Sequence, residues 1–288
     1  MSRIDEIYIS KAREIQTQGY LESQAGHGVR PIWEDGSSAQ AIYLPQQIFT
    51  YAPGETPLLS LRRIAWKTAI KEILWIYQDR NNDVNLLKEK YNVHYWDEWR
   101  NEAGNLGTAY GYQIGKTFRS PETGEPINQI ERLLTQLKEN PLNRRLLTTM
   151  IDVDDMSEMT LIPCAFMTMW TVTGNHLNLT LIQRSGDFLA AAAPGGINAI
   201  QYYALLLMVA QVSGYQPGQF VHFIQNLHIY ERHLPQVEQI IQLPLNQLSN
   251  PKLKLNPDVH DFQDFTIQDF TLEDYHPNED KYDIEIAL

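Results

Sequence analysis

Nine consecutive apolar residues, Tyr202-Tyr-Ala-Leu-Leu-Leu-Met-Val-Ala210, lie inside a longer apolar run from Asn198 to Ser213 that Gly214 stops. A helix that is apolar on every side has no face to offer water, so other elements must enclose it. The Tyr202–Ala210 stretch is far shorter than the roughly 20 apolar residues that cross a bilayer. The chain must therefore build a core around this helix, and no membrane span is expected. Its 288 residues are enough to do so without disulfide or metal staples.

Hydrophobic spacing predicts what surrounds that helix. Ile64–Asp79 reads as a second buried helix, with Trp66, Ile70, Ile73, Leu74 and Tyr77 recurring at helical intervals. Asn82 or Asp83 caps a shorter helix through Lys90. Ile127–Glu139 carries one stripe, Ile130, Leu133, Leu134 and Leu137, with Pro141 beyond its end. Arg145–Asp152 reads as a strand. Ala165–Thr173 and His176–Gln183 read as a hairpin around Gly174-Asn175, in which Leu177, Leu179 and Leu181 alternate with polar residues. Phe220–Ile224 is strand-like, Ile229–Ile241 helical with Pro235 near its start, and Phe262–Tyr275 alternates weakly enough to suggest a strand. Strands clustered between long helices predict an α+β fold, a mixed or antiparallel sheet with helices packed on it. No repeat or linker divides the chain, so residues 1–288 are expected to form a single domain.

Several function classes are excluded or made remote. Cys164 is the one cysteine, so no internal disulfide forms. Met1–Gln18 lacks the apolar stretch of a signal peptide, and a cytoplasmic protein is expected. Lys and Arg number 23 against 35 Asp and Glu, a net charge of −12. Nucleic acid held on a broad basic face is not expected, whereas a small arginine pocket for one phosphorylated metabolite is compatible with that charge. Gly111-Tyr-Gln-Ile-Gly115-Lys116-Thr117 is one residue short of a phosphate-binding loop. His228-Ile-Tyr-Glu-Arg-His233 does not keep the spacing of a zinc helix, and no metal is expected.

The residues that can carry chemistry are few. Cys164 and Arg184 fall at the same end of the expected hairpin, where a guanidinium favours the thiolate and hence a nucleophile; a lone cysteine is more often inert packing. Arg144-Arg145 can clamp a phosphate or form a solvated pair. His228 and Tyr230, two apart on an extended segment, share one side and can hold a sugar hydroxyl, or serve the core. Trp96 and Trp99 suit a flat heterocycle, or core packing. Glu72 lies inside an expected helix read as the most apolar of the chain, where a carboxyl is costly unless it is paired or works, and proton shuttling is the favoured reading.

In chain order, Trp66-Lys-Thr-Ala-Ile-Lys-Glu72-Ile-Leu-Trp75, Trp96-Asp-Glu-Trp99, Gly107-x-x-Tyr110-Gly111, Arg144-Arg145, Pro163-Cys164, Gln183-Arg-Ser-x-Asp187, Asn198-x-x-x-Tyr202 and His228-Ile-Tyr230 resemble thymidylate synthases, over nearly the whole chain. The resemblance implies methylation of deoxyuridylate (dUMP) to dTMP, with 5,10-methylenetetrahydrofolate as carbon donor and reductant. It implies that the Cys164 thiolate adds to uracil C6, which makes C5 nucleophilic. It places Arg184, Ser185 and Arg30 on the phosphate, and Arg144 and Arg145 there from the other subunit of a homodimer joined through the sheet. It gives Asn198 the uracil edge, His228 and Tyr230 the deoxyribose 3′-hydroxyl, Glu72 proton transfer through water, and Tyr110 the C5 proton. Trp96, Trp99, Asp187 and the tail Ala287-Leu288 fall to folate. Related chemistries are hydroxymethylation of the pyrimidine, in which water replaces hydride, and a non-catalytic nucleotide- or RNA-binding relative. The chain departs from the family pattern at Ala165, where most members have His, at Met169, in the longer interval from Asp187 to Asn198, and at Ile224-Gln225-Asn226.

Overall fold

The computed structural model describes residues 2–25, 31–244 and 249–287. Arg30 and Leu288 lie outside the described residues. The helices are α1 (Arg3–Gln18), α2 (Trp66–Leu74), α3 (Val84–Tyr91), α4 (Gly111–Gly115), α5 (Gln129–Glu139), α6 (Ile197–Ser213) and α7 (Leu234–Gln242). The strands are β1 (Tyr20–Leu21), β2 (Ala41–Tyr51), β3 (Phe118–Arg119), β4 (Pro126–Ile127), β5 (Leu147–Thr149), β6 (Ala165–Thr173), β7 (His176–Gln183), β8 (Gly186–Asp187), β9 (Gln216–Tyr230), β10 (Lys252–Leu255) and β11 (Phe270–Glu273).

The main sheet runs β1-β2-β9-β7-β6-β5, with β8 also paired to β9. It is mixed: β7 and β8 run parallel to β9, and the other pairs are antiparallel. The fold is thus α+β, as the pattern of elements predicts. Helix α6 is the centre of the core: Ala199 to Ala210 are all buried in it, against α2, β7 and β9. The continuous stretch Phe188–Ser213 is long and apolar enough to cross a membrane by length and composition, but 78% of its most apolar window is buried inside the protein. It is a core helix, capped by Gly214 in the left-handed region at φ 80°.

Several boundaries follow local chemistry that apolar spacing does not carry. The expected helix Ile64–Asp79 is α2 followed by a wider turn, Trp75–Asp79, with i→i+5 character. The strand expected over Arg145–Asp152 shortens to β5; Arg144 and Arg145 sit in a turn that Asn143 closes by accepting from the Arg145 N–H. The helix expected from Ile229 begins later, because β9 continues through Tyr230 and Pro235 occupies the first turn of α7. Phe262–Tyr275 is mostly turns: Asp261 and a Thr266–Asp269 capping box nucleate two single-turn helices before β11.

One face of the sheet packs on α6. The other carries aligned apolar rows: Ile48 opposite Phe223, Phe223 beside Ile182, and Ile182 opposite Met167. The adjacent row holds Val221, Met169 and Leu147, with Met169 and Leu147 exposed and Ile48 61% exposed.

Candidate active site

The β6–β7 hairpin brings Cys164 and Arg184 together. Ala165 pairs with Gln183, and the Arg184 N–H donates to the Cys164 carbonyl at 2.8 Å, extending the ladder one step past both strands. The guanidinium is tied to the chain it faces. Its Nε donates to the Pro163 carbonyl at 3.2 Å, and its Nη2 reaches the Ile162 carbonyl and the Cys164 Sγ, the latter at 3.5 Å. Its Nη1 has no partner among the described residues, so two N–H groups of the fork remain for an anion. The half-buried thiol differs from expectation in one respect: burial pushes its pKa up, and Arg184 offsets that rise without reversing it, while Asp187 adds to it. In the free protein the thiol form predominates at neutral pH.

Glu72 on α2 is 6% exposed, and burial raises its pKa to about 7. The Trp96 indole and the Gln201 amide pull it back, though neither N–H closes a hydrogen bond of ordinary length. Trp96 is itself nearly buried, edge-on to Tyr110 at 4.9 Å and to the half-buried Trp99 at 5.4 Å. Tyr110 sits at φ 52°, in the left-handed region that a non-glycine residue rarely adopts. This turn aims its phenol at the Cys164 backbone, and burial, with the charges of Cys164 and Glu72, raises its pKa far above the phenol value. Gly111 makes the turn feasible, since a Cβ there would stand 2.1 Å from the Asn81 carbonyl oxygen.

Asn198 opens α6 beside the same cleft, and its Oδ1 accepts from Gln183 Nε2 at 3.1 Å. Ser185 and Gly186 turn the chain from β7 into β8. Asp187 caps the next turn through the Leu189 and Ala190 N–H groups, at 3.0 and 3.1 Å. Burial alone would raise the Asp187 pKa, but His233, 3.5 Å away, and His228 hold it below the ordinary value. That turn belongs to the segment that departs from the family pattern. It runs through buried Ala192 and Ala193 to Gly195, where a Cβ would sit 2.6 Å from the Leu59 N. His228 and Tyr230 project from β9 on one side, rings 4.8 Å apart, and Asn226 Oδ1 lies 2.9 Å from His228 Nδ1. That contact puts the His228 proton on Nδ1 and leaves Nε2 to accept. Ala287 packs against the cluster of Trp33, Ala39, Ala41 and Tyr230.

Cys164, Glu72, Tyr110, Trp96, Arg184, Asp187, His228 and Tyr230 therefore share one electrostatic neighbourhood, with Asn198 at its wall. Arg144 and Arg145 do not join it within one chain. Trp170 donates to the Leu146 carbonyl, six residues along β6 from Cys164, which is about 20 Å of strand. The sequence names Gln183, Asn226 and His233 in its motifs but gives them no role in this site, and Gln201 stands in none of those motifs. Their positions across paired strands, or one helical turn from Asn198, are visible only after folding.

An α+β sheet that brings one cysteine, an arginine fork and a buried acid together has the groups that an enzyme using a thiol nucleophile requires. The comparisons narrow it. The family profile "Thymidylate synthase" matches residues 6–288. "Thymidylate synthase" of Bacillus licheniformis is 40% identical over 289 aligned positions, covering all of both chains. "Thymidylate synthase" of Bacillus phage phi3T is 39% identical over the same span. The solved structure of thermostable thymidylate synthase A from Bacillus subtilis superposes with a TM-score of 0.91 at 38% identity, again covering both chains fully. The chain belongs to the thymidylate synthase family. It methylates dUMP to dTMP with methylenetetrahydrofolate as cosubstrate. Among the described residues, no three His, Cys, Asp or Glu side chains group to hold a metal ion.

Proposed function

We infer that Cys164 is the nucleophile, adding its sulfur to uracil C6, and that the other groups serve that bond. The observation that carries the assignment is the thiol at 3.5 Å from Arg184, with Glu72 and Tyr110 facing the same point. The unpaired Nη1 of Arg184, together with the Ser185 hydroxyl, binds the nucleotide phosphate, to which Arg30 also contributes. Asn198 accepts from uracil N3–H and donates to O4. His228 Nε2 accepts from the 3′-hydroxyl, and Tyr230 bonds the same group. Glu72, with a pKa of about 7, is protonated and ionised in comparable amounts at neutral pH, which suits a group that gives and takes protons through water. Tyr110 assists removal of the C5 proton.

Methylenetetrahydrofolate, when bound, supplies the carbon and the reducing hydride. The residues facing its side of the cleft fit a flat, polar-edged heterocycle. Trp96 Nε1 is buried with no hydrogen-bond partner among the described residues, Trp99 stands beside it, and the Asp187 side chain is 18% exposed. The tail through Ala287 closes this side and excludes water.

The working unit is a homodimer built on the outer sheet face, each chain a single catalytic domain. Two features support this. The aligned rows around Ile48, Phe223, Ile182 and Met167 form an apolar surface of the kind that an obligate interface buries. Arg144 and Arg145 are exposed, their guanidinium groups have no partner among the described residues, and they lie far along β6 from their own Cys164. Two-fold pairing lets each chain donate them to the other's phosphate site. The protein acts in the cytoplasm.

Product analysis with dUMP and methylenetetrahydrofolate tests the reaction. Thymidylate with one dihydrofolate per turnover is expected. A hydroxymethyl nucleotide, or saturable dUMP binding without turnover, overturns it.

A further inference from the structure

One fully buried polar side chain has no part in the chemistry above. His222 lies on β9 at 0% exposure, its ring stacked on Phe220 at 6.1 Å and edge-on to Phe49 at 6.5 Å. Its Nε2 is 2.7 Å from Gln183 Oε1, and its Nδ1 has no hydrogen-bond partner among the described residues. Gln183 spends its amide hydrogens on the Ser185 carbonyl at 2.8 Å and on Asn198 Oδ1 at 3.1 Å.

The polarity of this chain is determined by the Ser185 carbonyl at its end. A backbone carbonyl only accepts, so the Gln183 nitrogen must face Ser185 and its oxygen must face His222. His222 must then carry its proton on Nε2. Burial holds the ring neutral, with its pKa lowered to about 3, so this single proton is the one available. With Gln183 set, Asn198 Oδ1 is fixed as the acceptor of a Gln183 N–H. Asn198 Nδ2 lies 3.4 Å from Gln201 Oε1 through one hydrogen and keeps the other free.

We propose that His222 is a positioning residue for base specificity: through Gln183 it locks the Asn198 amide in the orientation that matches uracil and mismatches cytosine. The proposal rests on the reading that Asn198 faces the base. Uracil offers N3–H and O4, which suit a fixed Oδ1 and Nδ2–H. Cytosine offers the reverse, a bare N3 and an N4 amine. To suit cytosine, Asn198 must turn over, and its NH2 then meets the Gln183 NH2. Turning Gln183 over as well sets its oxygen against the Ser185 carbonyl and its NH2 against the His222 Nε2–H. Every step opposes like polarity in a dry site, where an unmade hydrogen bond is most costly.

Two variants and one spectrum test this. His222→Phe keeps the aromatic sandwich and removes the donor; His222→Gln keeps a donor of similar reach. Calorimetry with dUMP and with dCMP should show the dUMP preference falling about tenfold in His222→Phe, chiefly through weaker dUMP binding, and returning to within about threefold of wild type in His222→Gln. An unchanged preference in folded His222→Phe overturns the proposal. Independently, the wild-type protein carrying ¹⁵N-histidine should show His222 as the neutral Nε2–H tautomer between pH 6 and 8. An Nδ1–H tautomer or an imidazolium overturns the relay whatever the nucleotide does. Failure of the wild type to bind dUMP at all overturns the reading of Asn198 and the specificity claim with it, and is distinct from a preserved preference.

Discussion

The two sides of the cleft are built differently. Cys164, Arg184, Asn198 and His228 sit on, or one residue beyond, regular elements of the main sheet and its covering helix. Backbone carbonyls and buried amides pin their side chains further, as Pro163 does for Arg184 and Gln183 for Asn198. The opposite side is closed by chain beyond β11, whose last residues are held through side chains of the Glu231–His233 turn and of α7. Arg232 pairs with Glu285 at 2.7 Å, Gln236 donates to the Asp283 carbonyl at 2.6 Å, and His233 lies 2.8 Å from the Glu285 carbonyl. A group that must meet a reacting carbon within a fraction of an ångström belongs on rigid scaffold. A segment that admits substrate and then shuts out water has to be released at small cost. On the proposed assignment of residues, the nucleotide side is the fixed half of the site and the tail side the half that opens.

The largest expected effect strikes the fixed half. Cys164→Ala should lower kcat on the order of 10⁴-fold or more while leaving dUMP affinity within a few-fold, because the nucleophile is lost but the anchors remain. Turnover near the wild-type rate would refute the assignment of Cys164. In the wild type, the raised thiol pKa predicts slow alkylation by iodoacetamide at pH 7 that accelerates steadily into the alkaline range. A rate already saturated at pH 7 would mean that Arg184 dominates burial after all.

In the proposed homodimer the fixed half extends across two chains. Arg144→Ala protein mixed with Cys164→Ala protein, each nearly inactive, should recover about one quarter of wild-type activity after subunit exchange. Half of the dimers are then hybrids, and each hybrid has one site carrying both intact groups. No recovery, with exchange demonstrated, would confine the site to a single chain.

Glu72 joins the two halves, and its titration gives a smaller, pH-resolved effect. Its folded pKa of about 7 stands above the ordinary 4.5. Between those values the unfolded chain has released the proton that the folded chain keeps, so this group's contribution to stability falls as pH rises from 4.5 to 7. Glu72→Gln removes that titration. The wild type should lose melting temperature relative to the variant across this window, and parallel curves would show that the carboxyl is not held as described. Activity should fall about 10²- to 10⁴-fold, mainly in kcat.

The same division explains what was legible in the sequence. The hairpin that carries Cys164 and Arg184 was readable to its boundaries because Leu177, Leu179 and Leu181 alternate cleanly on one sheet face. Helix α6 was readable because it is apolar on all sides. Strand β2 was not, since Pro45 and two glutamines break its alternation and Gln46, at φ 56°, interrupts its pairing with β9 without shifting the register. Helix α1 was hidden by its mixed polar face, although Ser2 and Asp5 form a capping box at its start. Within the site, residues in short motifs were recoverable. Partners that meet across parallel strands, such as Gln183 and His222, were not, because 39 residues separate them and nothing in either local pattern refers to the other. Nor does any periodicity report that burial outweighs Arg184 at the thiol.

The smallest expected effect belongs to the opening half. Arg232 lies over the Trp33 ring and bridges Asp35 to Glu285, each at 2.7 Å, so it ties the segment after β1 to the tail. Ion pairs this exposed are screened by water and salt and add little to folding. Arg232→Ala should therefore leave the melting temperature almost unchanged. It should instead raise KM for methylenetetrahydrofolate by about three- to tenfold, with dUMP affinity in the absence of folate unaltered, because the tail closes less often over the second substrate. Added salt should shift the wild type in the same direction and the variant much less. An equal loss of dUMP and folate affinity would show that the tail contacts support the fixed half as well, and the distinction between the two sides would fail there.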